Sequence, residues 1–153
     1  MEYLYKQLSG SDIELLQQLL KVFGEVFRDT ATYQGAVPSD EYLSSLLAGP
    51  IFISLVALHG QEVVGGLAAY VLEKFEQNRR EIYIYDLAVA EPHRRKGIAT
   101  QLIRELQRIA KEREAYVIFV QADQDEGDEP AIKLYESLGT KENVLHFDIP
   151  VDK

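Results

Sequence analysis

The chain has 153 residues, no cysteine and a formal net charge of −9, from 25 acidic and 16 basic side chains. Its length suits a single hydrophobic core, and we predict one domain over residues 1–153. The lack of cysteine excludes disulfides, thiolate metal sites and cysteine nucleophiles. The negative charge repels phosphate polymers and attracts cations, so it disfavours nucleic-acid binding and favours a cationic substrate.

Metal binding and membrane insertion are also disfavoured. The three histidines, His59, His93 and His146, lack ligand-like spacing along the chain, so we expect no metal site. Residues 1–30 contain no charged start followed by an apolar run, so we expect no signal peptide. No apolar stretch approaches the roughly 20 residues of a membrane helix. We therefore predict a soluble, cytoplasmic protein.

The first third of the chain predicts an edge strand and two helices. Residues 3–8 read as the strand. A capping box that starts at Ser11 precedes apolar residues at helical spacing over residues 12–27, so one face of this helix is predicted to lie in the core. After a loop, Pro38 and Ser39 start a shorter helix.

The middle of the chain predicts an antiparallel meander of three strands. Residues 51–58 and 62–73 flank a short turn and read as a hairpin. The third strand covers residues 81–89. A helix over residues 97–113 then leads to a buried strand at 116–121, which makes a β-α-β unit with a parallel strand pair at its centre.

The last part of the chain predicts one helix and one strand. Asp128 and Pro130 start the helix, and Gly139 stops it. Residues 143–149 are predicted to be a strand that closes the sheet. The element order therefore predicts a mixed α/β sheet flanked by helices.

The segment 89–100 carries the most chemistry, because it joins a strand to a helix through a basic, glycine-containing loop. Gly97 has no Cβ, so a ligand can approach the backbone closely. The first N–H groups of the helix have no internal partner and lie at the positive end of the helix dipole. The loop also carries three basic side chains, Arg94, Arg95 and Lys96. This pattern favours a phosphate site that is neither a P-loop nor a dinucleotide fingerprint; the alternative is a solvated basic turn.

Two motifs resemble those of the GNAT acyltransferase superfamily. The run RRKGIA at 94–99 matches its R/Q-x-x-G-x-G/A signature, and AIKLYESLG at 131–139 resembles its second motif, although Thr140 stands where an aromatic residue is common. The resemblance implies the GNAT fold, with a central, mostly antiparallel sheet and a splayed parallel strand pair. It also implies acetyl-CoA as the cofactor, with its pyrophosphate on backbone N–H groups from about Arg95 to Thr100.

The same resemblance implies where the rest of acetyl-CoA lies. The pantetheine is expected in the gap between residues 86–89 and 116–120, and Tyr135 is expected near the thioester sulfur. The predicted cofactor-binding residues are Leu87, Ala88, Val89, Arg94, Arg95, Lys96, Gly97, Ile98, Ala99, Thr100, Ala131 and Tyr135.

A narrower resemblance covers residues 20–149. The runs EIYIYDLAV, HRRKGIAT, AYVIFVQAD and LHFDI are similar to those of the class I aminoglycoside 3-N-acetyltransferases, as are Phe23-Gly24, residues 31–33 and residues 74–77. This implies acetylation of the 3-amino group of the 2-deoxystreptamine ring in aminoglycoside antibiotics, resistance to them, and a homodimer. The acidic loop 123–130 is longer than expected for the family.

For catalysis we predict direct transfer of the acetyl group, since the chain has no cysteine and no G-x-S-x-G elbow. Asp86 is predicted to be the base, directly or through water, because it is an acid inside an apolar strand and burial would raise its pKa. It could instead bind the substrate cation or bond to neighbouring backbone. The resemblance implies an oxyanion hole on a backbone N–H of the splayed strand, so those of Leu87 to Val89 are candidates. Tyr135 is assigned as general acid to the thiolate, with a packing role as the alternative.

A cationic acceptor needs carboxylates and polar walls. The predicted substrate-binding residues are Tyr33, Tyr70, Glu76, Tyr85, Asp86, Gln121, Asp123, Asp125, Glu126 and Asp148. Three other functions remain open: acetylation of a polyamine, another small amine or a protein amino group; a catalytically silent acyl-CoA sensor; and, least favoured by the charge, a nucleic-acid binder built on residues 94–96.

Overall fold

The computed structural model describes residues 2–123 and 128–152. The chain divides into two compact units, Met1–Gln121 and Ala122–Lys153. Within the described residues, every helix is too short or too polar to cross a lipid bilayer.

The first unit contains five strands, four α-helices and one 3-10 helix. In chain order they are β1 (Leu4–Gln7), α1 (Ile13–Val26), α2 (Thr30–Gln34), α3 (Asp40–Ala48), β2 (Phe52–His59), β3 (Glu62–Glu73), β4 (Arg80–Val89), the 3-10 helix (Glu91–His93), α4 (Ile98–Glu112) and β5 (Ala115–Val120).

The helix ends agree only in part with the predicted caps. Ser39 caps α3 as predicted, since its side chain accepts a hydrogen bond from the Tyr42 N–H. The capping box predicted at Ser11 is wrong, because Asp12 occupies the N-cap position and no side chain caps the helix. The Asp12 carboxylate instead accepts a hydrogen bond from the Ser9 N–H, which fixes the turn before α1. Helix α2 lies where a loop was predicted.

The five strands form one sheet in the order β1-β2-β3-β4-β5. The first three junctions are antiparallel, and β4 pairs with β5 in parallel through the α4 crossover. The predicted mixed sheet with one parallel pair is confirmed. The β4–β5 ladder ends at the pair Ile84–Val120, whereas β4 continues to Val89. Val120 is the last residue of β5, so residues 85–89 of β4 extend beyond the ladder, and the splay that the family resemblance implies stays a prediction.

Helices cover both faces of the sheet. Helices α1 and α3 pack on the face that carries Phe52, Val56 and Ala68, which we call the α1 face. Helix α4 packs on β2, β3, β4 and β5 and covers the opposite face, here the α4 face. Six residues of α4 are buried, namely Ile98, Leu102, Ile103, Leu106, Ile109 and Ala110. Each full-size apolar side chain among them contributes about 1.5–3 kcal/mol through its burial.

A β-bulge in β4 changes which face its side chains occupy. Ala69 pairs with Ile84, but Ala68 pairs with Asp86, so Tyr85 is the extra residue. Because Ala68 and Ala69 lie on opposite faces, Ile84 lies on the α4 face and Asp86 on the α1 face. Without the bulge, Asp86 would share the apolar α4 face with Ile84.

The second unit contains helix α5 (Glu129–Leu138), which begins after Asp128 and ends before Gly139 as predicted. The prediction of a closing strand at 143–149 is wrong: residues 140–150 form no strand. Their large apolar side chains Val144, Leu145, Phe147 and Ile149 are 76–84% exposed. An apolar-polar alternation specifies a strand only where another strand can pair with it, and the described part of this unit offers none.

Candidate active site

Asp86 and Tyr33 form the centre of the candidate site. The bulge turns Asp86 onto the α1 face, where the Tyr33 hydroxyl donates a hydrogen bond of 2.9 Å to its Oδ2. Tyr33 lies on the short helix α2, and the Asp29 side chain caps this helix by accepting from the Thr32 N–H at 3.2 Å. The sequence predicted both residues of the pair, but it predicted neither the helix nor the bulge that brings them together.

Aromatic packing fixes the position of Tyr33. Its ring centroid lies 5.8 Å from that of Phe23 and 5.8 Å from that of Phe27, two residues of the α1 segment. Phe23 is only 2% exposed and belongs to the core. The hydroxyl that faces Asp86 is therefore anchored by core packing rather than by a loop.

The environment of Asp86 suits a proton acceptor. Burial raises the pKa of its carboxyl above the ordinary value, and the hydrogen bond from Tyr33 opposes this rise. Burial, followed by the hydrogen bond to Asp86 and the carboxylate charge, raises the pKa of Tyr33 far above 10. Tyr33 therefore stays protonated and donates, while Asp86 keeps a greater proton affinity than an exposed aspartate.

Four aromatic rings line the α1 face beside Asp86. The Tyr85 ring lies 5.9 Å from that of Tyr70 and 5.8 Å from that of Tyr83. The Tyr83 ring stacks on Phe119 at 4.7 Å, and its hydroxyl donates to Gln121 Oε1 at 3.0 Å. Burial, followed by the charges of Tyr85 and Asp86, raises the pKa of both Tyr70 and Tyr83. These phenols therefore remain neutral hydrogen-bonding groups beside the carboxylate.

Sequence reasoning named Tyr70, Tyr85 and Gln121 but missed Tyr83 and Phe119. In a regular strand Tyr83 and Tyr85 would share a face that Asp86 does not share, so alternation alone did not group all three. The signal that could have found Tyr83 is its place two residues before Tyr85 in a predicted strand.

The end of β4 offers backbone donors beyond the last residue that pairs with β5. The Ala90 N–H donates to the Val64 carbonyl on the β3 side. Because backbone groups alternate sides along a strand, the N–H groups of Val89 and Leu87 point away from β3, to the side on which β5 pairs earlier in the strand. The Arg94 Nε donates to the Val89 carbonyl at 3.0 Å, so this carbonyl is already satisfied.

The loop before α4 has the geometry of an anion site. Arg95 and Gly97 both adopt left-handed backbone, with φ of 63° and 79°. Gly97 is the N-cap of α4 and brings no side-chain cap, so the first helical N–H groups, those of Ile98, Ala99 and Thr100, receive no side-chain acceptor. A Cβ at Gly97 would meet no atom within 4 Å, so a ligand has room to approach. A pyrophosphate suits this loop, because the loop combines free N–H groups and open space with the exposed basic side chains Arg95 and Lys96.

Helix α5 carries Ala131 and Tyr135, the two cofactor-binding residues predicted in the second unit. Ala131 and Tyr135 are four residues apart on this helix and so share one face. Burial raises the pKa of Tyr135 to about 12, with the charge of Asp128 adding to the rise. Its hydroxyl therefore keeps its proton at neutral pH and can donate one.

The predicted acidic substrate residues lie in different settings. Glu76 forms ion pairs with Lys74 at 3.7 Å and Arg79 at 3.6 Å, so its charge is already balanced. Asp148 is exposed and lies 2.8 Å from His146 in the second unit. The Asp123 N–H donates to Asp128 Oδ2 in the same unit. Asp125 and Glu126 lie outside the described residues.

Comparisons with known proteins cover most of the chain. A family model described as Acetyltransferase (GNAT) family matches residues 16–140. The chain is 57% identical to an aminoglycoside acetyltransferase, HMB0005, from an uncultured soil metagenomic sample, with a TM-score of 0.97 and 99% of each chain covered. It is 32% identical to the aminoglycoside acetyltransferase meta-AAC0020, also from an uncultured soil metagenomic sample and solved with sisomicin, with a TM-score of 0.87 over 97% of this chain and 96% of that one.

A more distant structure is similar in fold alone. The ribosomal-protein-alanine N-acetyltransferase from Brucella melitensis biovar Abortus 2308 is 23% identical, with a TM-score of 0.75 over 98% of this chain and 99% of that chain. A comparison with curated protein sequences gave no match.

Proposed function

The chain belongs to the GNAT family of acetyltransferases, which use acetyl-CoA as the acetyl donor, and from this premise we propose that it acetylates an amino group of aminoglycosides. The proposed position is the 3-amino group of the 2-deoxystreptamine ring, the proposed consequence is resistance, and the proposed location is the cytoplasm, where acetyl-CoA is available. The observation that carries the proposal is the Asp86–Tyr33 pair beside a wall of tyrosines, in a chain 57% identical to an aminoglycoside acetyltransferase.

The proposed reaction is direct attack of the acceptor amine on the acetyl carbonyl, with coenzyme A leaving as a thiol. Asp86, whose pKa is raised by burial, accepts the proton that the ammonium must lose. The N–H groups of Leu87 and Val89 stabilise the oxygen on which negative charge develops. Tyr135, protonated at neutral pH, supplies a proton to the departing sulfur. Residues 95–100 hold the pyrophosphate, and Arg94 keeps the strand end and the loop together.

The proposed acceptor subsite follows from charge and hydrogen-bonding capacity. An aminoglycoside carries several ammonium and hydroxyl groups, so it needs carboxylates and neutral polar walls together. Asp86 supplies a carboxylate, and Tyr70, Tyr85 and Gln121 supply hydroxyl and amide groups near it. The net charge of −9 favours the approach of a polycation. Glu76 is proposed to shape this region through its ion pairs rather than to contact the acceptor.

We also propose a homodimer, which the exposed apolar surface supports. Val144, Leu145, Phe147 and Ile149 are 76–84% exposed, and Val117 on β5 is 40% exposed. Among the described residues β5 pairs only with β4, so its other edge can still pair with a strand. Light scattering after size-exclusion chromatography should give a dimer mass, and a chain truncated after Thr140 should give a monomer. A monomer at all concentrations up to about 100 μM would contradict the proposal.

The decisive test measures thiol release from acetyl-CoA with separate acceptors: gentamicin, sisomicin, spermidine and a lysine peptide. Turnover with the two aminoglycosides and not with the peptide is expected, and NMR of the product locates the acetyl group. Asp86→Asn is the matched control, because it keeps an oxygen for Tyr33 but removes the base. Turnover with spermidine or peptide alone would replace the proposed acceptor. Acetyl-CoA binding without turnover on any acceptor would indicate a silent sensor.

A further inference from the structure

Two histidines and a glutamate that are far apart in the sequence meet at one end of the sheet. His59 ends β2 and pairs in register with Glu62 at the start of β3, across a turn where Gly60 has φ of 64°. His93 ends the 3-10 helix that precedes residues 94–97, the loop before α4 that is proposed to hold the pyrophosphate and is here called the phosphate loop. Each of the three side chains offers a ligand atom, and these atoms all lie within 4.8 Å of one another. The sequence spacing of the histidines had led us to expect no such set.

The donor atoms and their surroundings suit a transition metal. Two imidazole nitrogens and one carboxylate oxygen are a ligand set that zinc commonly takes, with water in the fourth position. Bond lengths of about 2.0–2.2 Å in a tetrahedral arrangement place ligand atoms about 3.3–3.5 Å apart. The observed separations must therefore shrink by at most about 1.5 Å. Since all three side chains are at least partly exposed, rotation of their side-chain torsions can supply this.

A hydrogen bond supports one of the ligands from outside the set. The Tyr3 hydroxyl lies 2.9 Å from His93 Nδ1. Metal-binding histidines usually donate their second ring N–H to such an oxygen, which fixes the tautomer that leaves the other nitrogen unprotonated. In this arrangement Nε2 of His93 is the ligand. The ring centroids of His59 and His93 are already 5.3 Å apart.

We propose that His59, Glu62 and His93 form a binding site for a divalent transition-metal ion of the zinc class. The ion would link the β2–β3 turn to the 3-10 helix immediately before Arg94. Metal binding would therefore restrain the segment that leads into the phosphate loop. Asp86 and Tyr33 are not among its ligands, so the proposal stands whether or not the proposed acetyl acceptor is correct.

The test is a zinc titration of the untagged, chelator-treated full chain in competition with a chromophoric chelator. One zinc per chain is expected, with at least about tenfold weaker binding in His59→Ala, in Glu62→Gln and in His93→Ala. His146→Ala is the matched control: His146 is exposed beside Asp148, and its loss should leave the affinity unchanged. Cobalt(II) should give the visible absorption of a four-coordinate ion in the wild type and in His146→Ala, and not in the three ligand variants.

Thermal unfolding gives a second readout that does not depend on enzymatic turnover. Excess zinc should raise the Tm of the wild type and of His146→Ala, and should leave that of the double variant His59→Ala/His93→Ala unchanged. The Tm without zinc shows whether each variant is folded. Equal zinc affinity in the wild type and the double variant, or much less than one equivalent bound, would mean an adventitious ion only and would overturn the assignment.

Discussion

Replacing Gly97 by alanine separates backbone strain from steric fit in the phosphate loop. A Cβ at this position would meet no atom within 4 Å, so the substitution causes no clash. The cost comes from φ of 79°, a left-handed conformation that costs an alanine about 1–2 kcal/mol. For a chain of this length, that cost lowers the Tm by about 2–8 °C. If the loop instead relaxes to avoid the strain, the same energy appears as about 5–30-fold weaker acetyl-CoA binding.

Gly60 provides a matched control for this prediction. It also has a left-handed φ, of 64°, and open space around its missing Cβ, but it lies in the β2–β3 turn. Gly60→Ala should therefore lower the Tm by a similar amount and leave acetyl-CoA affinity unchanged. Isothermal titration with acetyl-CoA and differential scanning calorimetry on both variants make the comparison. The reasoning is refuted if Gly97→Ala retains both wild-type Tm and wild-type affinity, or if Gly60→Ala weakens binding as much.

Three further predictions concern the proposed catalytic groups. Asp86→Asn should abolish thiol release. It should also raise the Tm at pH 7–8, because the pKa of Asp86 is higher in the folded than in the unfolded protein. The wild type therefore loses stability as the pH rises through that folded-state pKa, and the asparagine variant does not. This Tm difference should vanish below about pH 4, where the aspartate is protonated in the folded and in the unfolded protein. A lower Tm for Asp86→Asn than for the wild type at pH 7 would contradict the prediction. Tyr33→Phe removes the hydrogen bond that lowers the pKa of Asp86, so the acidic limb of the pH profile of kcat/KM should move to higher pH. If this limb does not move, Asp86 is not the group that titrates in the profile. Tyr135→Phe should lower kcat about 100-fold or more across pH 6–9, because the pKa of Tyr135, about 12, keeps its hydroxyl protonated throughout this range. An unchanged kcat would mean that Tyr135 only packs and is not the general acid.

Periodic and local features could be predicted from the sequence. Apolar residues at helical spacing predicted α1 and α4 to within about two residues at each end, because a helix buries one continuous stripe. Gly97 predicted a helix start with free N–H groups, and the structure has Gly97 as the N-cap of α4 with no side-chain cap, since such groups follow from helix geometry alone. Asp86 stood out because a charged group inside an apolar strand requires a reason.

Features that depend on tertiary contacts could not be predicted in the same way. The bulge at Tyr85 leaves no mark in the residue types, and it decides which neighbours Asp86 has. The segment 143–149 has the alternation of a strand, but pairing depends on a partner that the sequence does not specify. Glu76 looked free to bind a cation until the structure showed Lys74 and Arg79 beside it.

The bulge in β4 also means that the even-numbered side chains of this strand contact two different helix layers. Before Tyr85, Ile82 and Ile84 are buried on the α4 face, whereas after it the buried residue is Ala88, which lies on the α1 face. A saturation-mutagenesis map should therefore show apolar-only positions that stay even-numbered across Tyr85, although the layer they contact changes there. A relative that lacks one residue here would place its aspartate under α4, so two such chains could share most of their sequence and still have different active sites.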